Sequence, residues 1–363
     1  MNQEEKELFL SLCEFQNPDK SKLQFLIDRQ AATASVLGLL FWNRVAGVAY
    51  NILKKTELLS KVNREFRTSL QKAYEQNCLY NESFVKCLES LNEILLPARD
   101  HYAMLKGALL CPQYPKGYRT SNDIDLLVSA NHLDEVGRLL TENGFVQGTL
   151  KNGNFIPATR SDIIKSKMLR GETVPYIKKV SLPYMEYLEV DINFSLDFKN
   201  NNSDMVKTLV ERAIIYDMCH PSVRSLAPAD FFLHLCAHLH KEASVYPWIE
   251  MKRDMTIYKY MDIYKLLSEM SRSDLEKIIA TATALNLEKE CYYAVFEVKN
   301  LFPAVADSAE IILKTFSEYK NCITEVIYPE RKMQYEYQTS DTKTRFFSEN
   351  RVELLKEVGV WKN

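Results

Sequence analysis

The sequence contains little glycine and proline, and this scarcity excludes two common ways of binding nucleotide phosphates. Ten glycines and twelve prolines make up about 6% of the 363 residues, roughly half the usual share. The glycines are scattered, so neither a G-x-G-x-x-G loop nor a G-x-x-x-x-G-K-[ST] loop is present. A chain with so few turn-forming residues is expected to be rich in helix and poor in long loops.

Excess charge of one sign and closely spaced cysteines are also absent. The 46 Lys and Arg residues nearly balance the 48 Asp and Glu residues, which gives a net charge of −2. Without a basic stripe, nucleic acid is not expected as a partner. The eight cysteines contain no C-x-x-C pair, as expected for thiols kept reduced inside a cell.

The sequence also has no apolar run of membrane-spanning length. The most apolar stretch, residues 31–42, is interrupted by Asn43 and Arg44, whereas a spanning helix needs about 20 apolar residues. The N-terminal residues are acidic and polar, which is not typical of a secretory signal. We therefore expect a cytoplasmic protein that does not bind a membrane.

The periodicity of apolar residues divides the chain into three regions. Residues 1–97 show three- and four-residue spacing, which predicts an N-terminal helical region. Residues 98–203 contain alternating segments that predict a small mixed β-sheet core, with strands at 101–106, 123–128, 176–182 and 187–194. Helical spacing returns in a C-terminal region, residues 204–363, beginning with a helix predicted over 205–216. The predicted fold class is α+β, a small sheet core flanked by helical regions.

The strongest local signal is Asp123-Ile124-Asp125 on a predicted strand. Residues two apart on a strand project from the same face, about 6.5–7 Å apart. Two carboxylates at that separation can share divalent cations, although the same pattern also occurs at solvated strand ends. A later predicted strand carries Glu189 and Asp191, again on one face. These four residues are candidate metal ligands.

The core resembles the nucleotidyltransferases of the polymerase-beta-like superfamily, and within them an uncharacterised nucleotidyltransferase family. The resemblance is strong over the core and only general over the helical flanks. The matching residues are Leu105-Lys106-Gly107, Tyr114-Pro115, Arg119 and Asp123-Ile124-Asp125-Leu126-Leu127-Val128, with a weaker match at Leu226-Ala227-Pro228 and Asp230.

The resemblance implies an enzyme that transfers a nucleoside monophosphate from an NTP to a hydroxyl acceptor and releases pyrophosphate. ATP is the expected donor, and the acceptor is a small molecule, peptide or protein. Two Mg²⁺ ions would be held by Asp123, Asp125 and a third carboxylate, for which Asp191 is favoured over Glu189. Asp191 would also help to deprotonate the acceptor hydroxyl.

The resemblance also implies which residues bind the nucleotide. Gly107 would let the backbone approach the phosphates, and Lys106 and Arg119 would supply positive charge. Ser121 belongs to the same nucleotide-binding set. Two structural alternatives stay open, in which Lys106 caps a strand end and Arg119 forms an ion pair with Asp123.

Two departures from the superfamily pattern leave an alternative function open. Ala108 follows the glycine of the phosphate turn where serine is usual, and Asn193 stands where histidine is expected. The alternative is a catalytically inactive module that binds a nucleotide or a partner with the same fold. Separately, His234 and His238 lie one helical turn apart and could share a zinc ion, but packing of their helix is favoured.

Overall fold

The computed structural model describes residues 1–169, 171–196, 203–217 and 220–361, which form sixteen α-helices and eleven β-strands. The helices are α1 (Gln3–Ser11), α2 (Lys20–Asp28), α3 (Ala34–Trp42), α4 (Ala46–Lys55), α5 (Arg64–Ile94), α6 (Gly107–Gln113), α7 (Leu133–Glu142), α8 (Arg160–Leu169), α9 (Ser203–Glu211), α10 (Pro228–Ala243), α11 (Tyr246–Glu250), α12 (Ile257–Glu269), α13 (Arg272–Leu285), α14 (Glu288–Leu301), α15 (Ala306–Thr315) and α16 (Thr342–Phe346). The strands are β1 (Tyr102–Met104), β2 (Asp123–Val128), β3 (Val146–Lys151), β4 (Asn154–Pro157), β5 (Tyr176–Leu182), β6 (Met185–Asn193), β7 (Ile214–Tyr216), β8 (Val223–Ser225), β9 (Glu325–Tyr328), β10 (Met333–Tyr337) and β11 (Leu355–Val360). The predicted α+β class is confirmed.

The contacts within the chain define two compact units. The strand unit is Gln71–Phe231, and the helical unit joins Met1–Leu70 with Phe232–Asn363. This division differs from the three sequence regions, because residues 71–97 and 204–231 have most of their contacts with the sheet core. No helix in the part of the chain that the structure describes is long and apolar enough to cross a membrane.

The strand unit is built on a mixed eight-stranded sheet with the order β4-β3-β5-β6-β2-β1-β8-β7. Strands β5 and β6 pair antiparallel, and β6 then pairs parallel with β2. Strand β1 lies antiparallel on the other side of β2. The two acidic strands are therefore neighbours at the centre of the sheet.

Alternation of apolar residues explains why these central strands are fixed in place. Ile124, Leu126 and Val128 on β2 are fully buried, as are Val190 and Ile192 on β6. Because successive side chains alternate between faces, this buried set directs the acidic residues of both strands to the opposite face.

One predicted helix is partly wrong. Residues 205–216 are predicted as a single helix, but α9 ends at Glu211 and residues 214–216 form β7, which pairs antiparallel with β8. The run Ile214-Ile215-Tyr216 is β-branched and aromatic, and such residues favour a strand once a partner strand is available. Strands β7 and β8 extend the sheet beyond the predicted end of the core at residue 203.

The helical unit contains helices in its C-terminal part, as expected from the spacing, and also a small sheet that the helical spacing did not indicate. Strands β9, β10 and β11 form this sheet in the order β11-β10-β9. Two ion pairs are buried in the unit, Arg345 with Glu297 and Arg351 with Asp254. Arg345 and Glu297 are fully shielded from solvent.

Candidate active site

The parallel register of β2 and β6 places four carboxylates in a square on one face of the sheet. Asp123 lies opposite Glu189, and Asp125 lies opposite Asp191. Neighbouring strands are about 4.8 Å apart, and residues two apart on a strand about 6.5–7 Å. The structure thus brings together all four candidate metal ligands, and we call these residues the acidic square.

Burial of this square makes its negative charge costly. Asp125 is only 4% exposed, and its burial raises the pKa of the carboxyl, against the opposing effect of the Lys106 ammonium. Burial raises the pKa of Asp191 well above its usual range, and repulsion from Asp125 and Asp123 adds to this effect. The pKa of Glu189 is raised by burial and by the same two aspartates. The single Lys106 ammonium offsets only part of the negative charge of these four carboxylates.

One carboxylate oxygen of the square is a candidate cation ligand. Asp191 Oδ1 is shielded from solvent, and no hydrogen-bond partner for it exists among the described residues. A buried carboxylate oxygen without a partner is costly unless a cation meets it. Oxygen-rich donor sets of this kind suit Mg²⁺, so the residues present fit a magnesium site.

Lys106 supplies part of the positive charge in the metal-free protein. Its Nζ atom lies 2.8 Å from Asp125 Oδ1. Its backbone has φ +43° and ψ −115°, a conformation that residues with a side chain rarely adopt. Strain of this kind persists only where the surrounding fold enforces it, and it is concentrated at functional sites. The contact with Asp125 shows that Lys106 does more than cap a strand end.

Gly107 is required by a close approach of Ser121. A Cβ atom at Gly107 would lie 2.3 Å from Ser121 Oγ, which no real side chain tolerates. Ser121 Oγ in turn donates a hydrogen bond to Asp123 Oδ1 at 3.0 Å. The turn at Lys106-Gly107 is therefore linked through one hydroxyl to the first aspartate of the square.

Asn193 is a site residue that sequence reasoning noted only as a departure. Its Nδ2 atom lies 3.5 Å from Asp125 Oδ1, where it donates a long hydrogen bond. The signal in the sequence is its position two residues after Asp191, because the period of a strand places both on one face. Asn193 thus helps to orient Asp125.

Arg119 and Ser121 belong to a loop that is held by α5. Asn81 accepts a hydrogen bond from the Gly117 backbone at 2.9 Å and donates one to the Arg119 carbonyl at 2.8 Å. Tyr80 donates from its hydroxyl to the Ser121 carbonyl at 2.8 Å. We call residues 117–121, with these bonds to α5, the clamped loop.

The Arg119 side chain is buried in this loop. It is 8% exposed, and its guanidinium donates to the neighbouring Thr120 carbonyl. Its expected role toward the triphosphate stays a prediction. The clamp itself was not predicted, although Asn77 and Asn81 are spaced by one helical turn and Asn77 also donates to the Gly117 carbonyl at 3.1 Å.

No three of the four carboxylates have oxygen atoms that all lie within 4.8 Å of one another. The square is therefore more open than the ligand set of a bound ion. Within the described ranges, the one group of three or more metal-ligating side chains with donor atoms within 4.8 Å of one another is His101, His132 and Glu135. His234 and His238 are not part of any such group, and His238 lies 3.5 Å from Glu242 instead.

A comparison with protein-family models identifies the chain. Residues 30–303 match the model of an uncharacterised nucleotidyltransferase family. The chain belongs to this family. No curated protein matches the chain, and no solved structure does.

Membership of the family confirms the resemblance drawn from the motif residues. The matched range contains all four residues of the acidic square, the Lys106-Gly107 turn and the clamped loop. It also contains the whole of α5, which holds that loop.

Proposed function

We propose that this protein is a magnesium-dependent nucleotidyltransferase whose active site is the acidic square. The observation that carries the proposal is the parallel register that sets Asp125 beside Asp191, together with the unpartnered Oδ1 atom of Asp191. A structural array of like charges is destabilising in itself. Binding of cations, with a triphosphate, would offset the repulsion between these carboxylates.

Each residue of the square has a role in that reaction. Asp123, Asp125 and Asp191 would hold two Mg²⁺ ions, which neutralise the charge of the triphosphate and stabilise the developing charge in the transition state. The Ser121 hydroxyl orients Asp123, and the Asn193 amide orients Asp125. Glu189 lies beside Asp123 and adds negative charge to the site.

The remaining residues position the donor and move the proton. The Lys106 side chain is 20% exposed, and its ammonium can exchange its contact with Asp125 for a phosphate oxygen. The oxygen of the acceptor hydroxyl attacks the α-phosphorus, and the bond from that phosphorus to the leaving pyrophosphate breaks. Asp191 accepts the proton of the acceptor hydroxyl and passes it to solvent. We propose ATP as the donor and a hydroxyl on a small molecule, peptide or protein as the acceptor.

The test begins with thermal unfolding of the wild type in each of the four NTPs, with and without Mg²⁺. A ligand at 100 times its dissociation constant stabilises a protein by about 2.7 kcal/mol, so binding is visible as a rise in Tm. We expect a rise that needs both NTP and Mg²⁺ and that is lost in Asp125→Asn. Glu186→Gln is the matched control, because Glu186 lies on β6 but is exposed and pairs with Lys179.

The donor found in this way is then supplied with α-phosphate label and candidate acceptors. Transfer of label with release of pyrophosphate supports the enzyme. A shift that depends on Mg²⁺ and NTP but is never followed by transfer supports the inactive binding module instead. The absence of a shift with every NTP contradicts the proposed nucleotide site.

A further inference from the structure

A second group of metal-ligating side chains lies at the other end of the β1–β2 pair. Strand β2 begins with Asp123, whereas its last residue, Val128, pairs with Tyr102 at the start of β1. His101 immediately precedes β1, and His132 follows β2 by four residues. Both histidines are therefore separated from the aspartates by most of the length of β2.

Glu135, in the first turn of α7, completes this group. The donor atoms of His101, His132 and Glu135 all lie within 4.8 Å of one another. His101 Nδ1 is 2.6 Å from Glu135 Oε2, and the two imidazole rings stack with centroids 3.7 Å apart. All three residues are partly exposed, so an ion can reach them from solvent.

Ser129 orients the His132 ring through a hydrogen bond. Its Oγ atom is 2.8 Å from His132 Nδ1. A hydrogen bond at one ring nitrogen fixes the orientation of a histidine and leaves the other nitrogen to bind a metal. In the ligand form His132 donates its Nδ1–H to Ser129 Oγ, which leaves the lone pair on Nε2 for the ion.

We propose that His101, His132 and Glu135 bind a divalent transition-metal ion, with zinc as the best fit. Two imidazoles and one carboxylate form a donor set that suits zinc, whereas Mg²⁺ prefers oxygen alone. The ion takes the place of the hydrogen bond between His101 Nδ1 and Glu135 Oε2. A water molecule completes the coordination at the exposed side.

The site forms with small side-chain movements. Ligands about 2.0–2.1 Å from a tetrahedral ion lie roughly 3.3 Å from each other, so the contact between His101 and Glu135 lengthens. The lone pair of an imidazole lies in the plane of its ring, so the two rings rotate out of their stack to face the ion. Once bound, the ion ties the start of β1 to the first turn of α7.

This site is independent of the proposed nucleotidyl transfer, and its test uses zinc alone. The full-length protein is stripped with a chelator and titrated with ZnCl₂ by calorimetry, in excess Mg²⁺ so that oxygen-rich sites are filled. We expect one zinc site in the wild type. His101→Ala, His132→Ala and Glu135→Gln should each raise its Kd at least tenfold, and Ser129→Ala should raise it by less.

Two controls separate this site from other zinc-binding groups. His220→Ala removes a histidine that faces a single carboxylate, Glu89, at 3.5 Å, and Asp125→Asn alters the acidic square. Both should keep the wild-type zinc affinity. Glu135→Gln changes shape least, and far-UV circular dichroism verifies that each variant is folded. The proposal is overturned if the wild type shows no saturable zinc binding, or if the three ligand variants bind zinc as tightly as the wild type.

Discussion

Lys106 combines a strained backbone with a charged contact inside a buried acidic array. Its left-handed conformation costs about 1–3 kcal/mol, and its ammonium is the group that faces Asp125 Oδ1 at 2.8 Å. The sequence predicted that Lys106 lies at the turn before α6, but it could not show that the Lys106 ammonium reaches Asp125. That contact depends on β1 and β2 lying side by side, which is a property of the folded sheet.

The first prediction concerns this contact. Lys106→Met keeps the backbone strain and removes the charge, so Asp125 is left buried without its ammonium partner. We expect a loss of about 2–3 kcal/mol in the free energy of unfolding without Mg²⁺. Adding Asp125→Asn should restore most of this loss, and urea denaturation of the two single variants and the double variant measures the coupling. Additive effects of the two changes would contradict the pairing.

The second prediction separates the two candidates for the third metal ligand. Asp191→Asn should lower kcat by about a hundredfold or more, because it removes the proton acceptor, while the KM for NTP changes by less. Glu189→Gln is the matched control on the same face of β6 and should have the smaller effect. A larger loss of kcat in Glu189→Gln would assign the third ligand to Glu189 instead.

At this scale the sequence predicted the identity of the acidic residues but not their arrangement. The two-residue period of a strand was sufficient to place Asp123 with Asp125 and Glu189 with Asp191. Their pairing across strands was not predictable, because the register between β2 and β6 depends on packing between segments about sixty residues apart in the chain.

At the scale of elements, the turn before α6 is held by contact between two small residues. The third prediction is that Gly107→Ala destabilises the protein by about 1–3 kcal/mol, because its Cβ would meet Ser121 Oγ at 2.3 Å. Ser121→Gly in the same chain should recover most of the loss. Gly38→Ala is the control, since no described atom outside the adjoining backbone of α3 and the two chain neighbours lies within 4 Å of that Cβ position. Thermal unfolding gives the Tm of the wild type, the two single variants and the double variant. An equal fall in Tm for Gly38→Ala and Gly107→Ala would contradict the close approach of Ser121.

Helix α5 acts on the site through the clamped loop, which gives the fourth prediction. Asn81→Ala removes two hydrogen bonds to the loop, at Gly117 and Arg119, and should raise the Kd for NTP in the presence of Mg²⁺ about tenfold. Asn77→Ala removes only the bond to the Gly117 carbonyl and should have a smaller effect. At about 1 kcal/mol for each bond, the stability losses should be near 2 and 1 kcal/mol. If both variants bind NTP as tightly as the wild type, the clamp does not position the nucleotide.

The elements that the sequence analysis missed have identifiable signals. Strands β3 and β4 form a hairpin through Asn152 and Gly153, whose φ angles are +52° and +77°. An Asn-Gly pair between alternating segments is a strong hairpin signal, but β3 and β4 are largely exposed and their apolar alternation is weak. Strands β7 and β11 are short or exposed as well, so local pattern carries little information about them.

At the scale of the whole molecule, the helical unit is stabilised by buried charge as well as by apolar packing. The fifth prediction is that Arg345→Met costs about 3–5 kcal/mol, because it leaves the Glu297 carboxylate buried without a counter-charge. Adding Glu297→Gln should recover most of this cost. Arg272→Met is the control, since its pair with Glu276 is exposed and worth little. The rate of amide hydrogen exchange in α14 and α16 measures this loss of stability. Equal exchange rates in Arg345→Met and Arg272→Met would contradict the prediction.

The division into two units could not be predicted from local sequence. Periodicity predicts helical character for residues 1–97 and 204–363, but it cannot show that residues 1–70 and 232–363 form one unit. Contacts between such distant segments depend on complementary shapes of packed helices, which no short pattern encodes. The sequence therefore could not predict which segments join in one unit.

The discontinuous helical unit has a consequence for synthesis on the ribosome. Residues 1–70 emerge before the strand unit, but the residues from 232 onward that complete their unit follow only after the whole strand unit has been made. At about 5–20 residues per second, residues 1–70 wait roughly 8–32 s for those residues to begin to emerge. During that interval α1 to α4 lack the contacts that residues 232–363 supply, such as the stacking of Phe346 on Phe9. Apolar surface on residues 1–70 is therefore exposed to aggregation until the second part of the helical unit has been made.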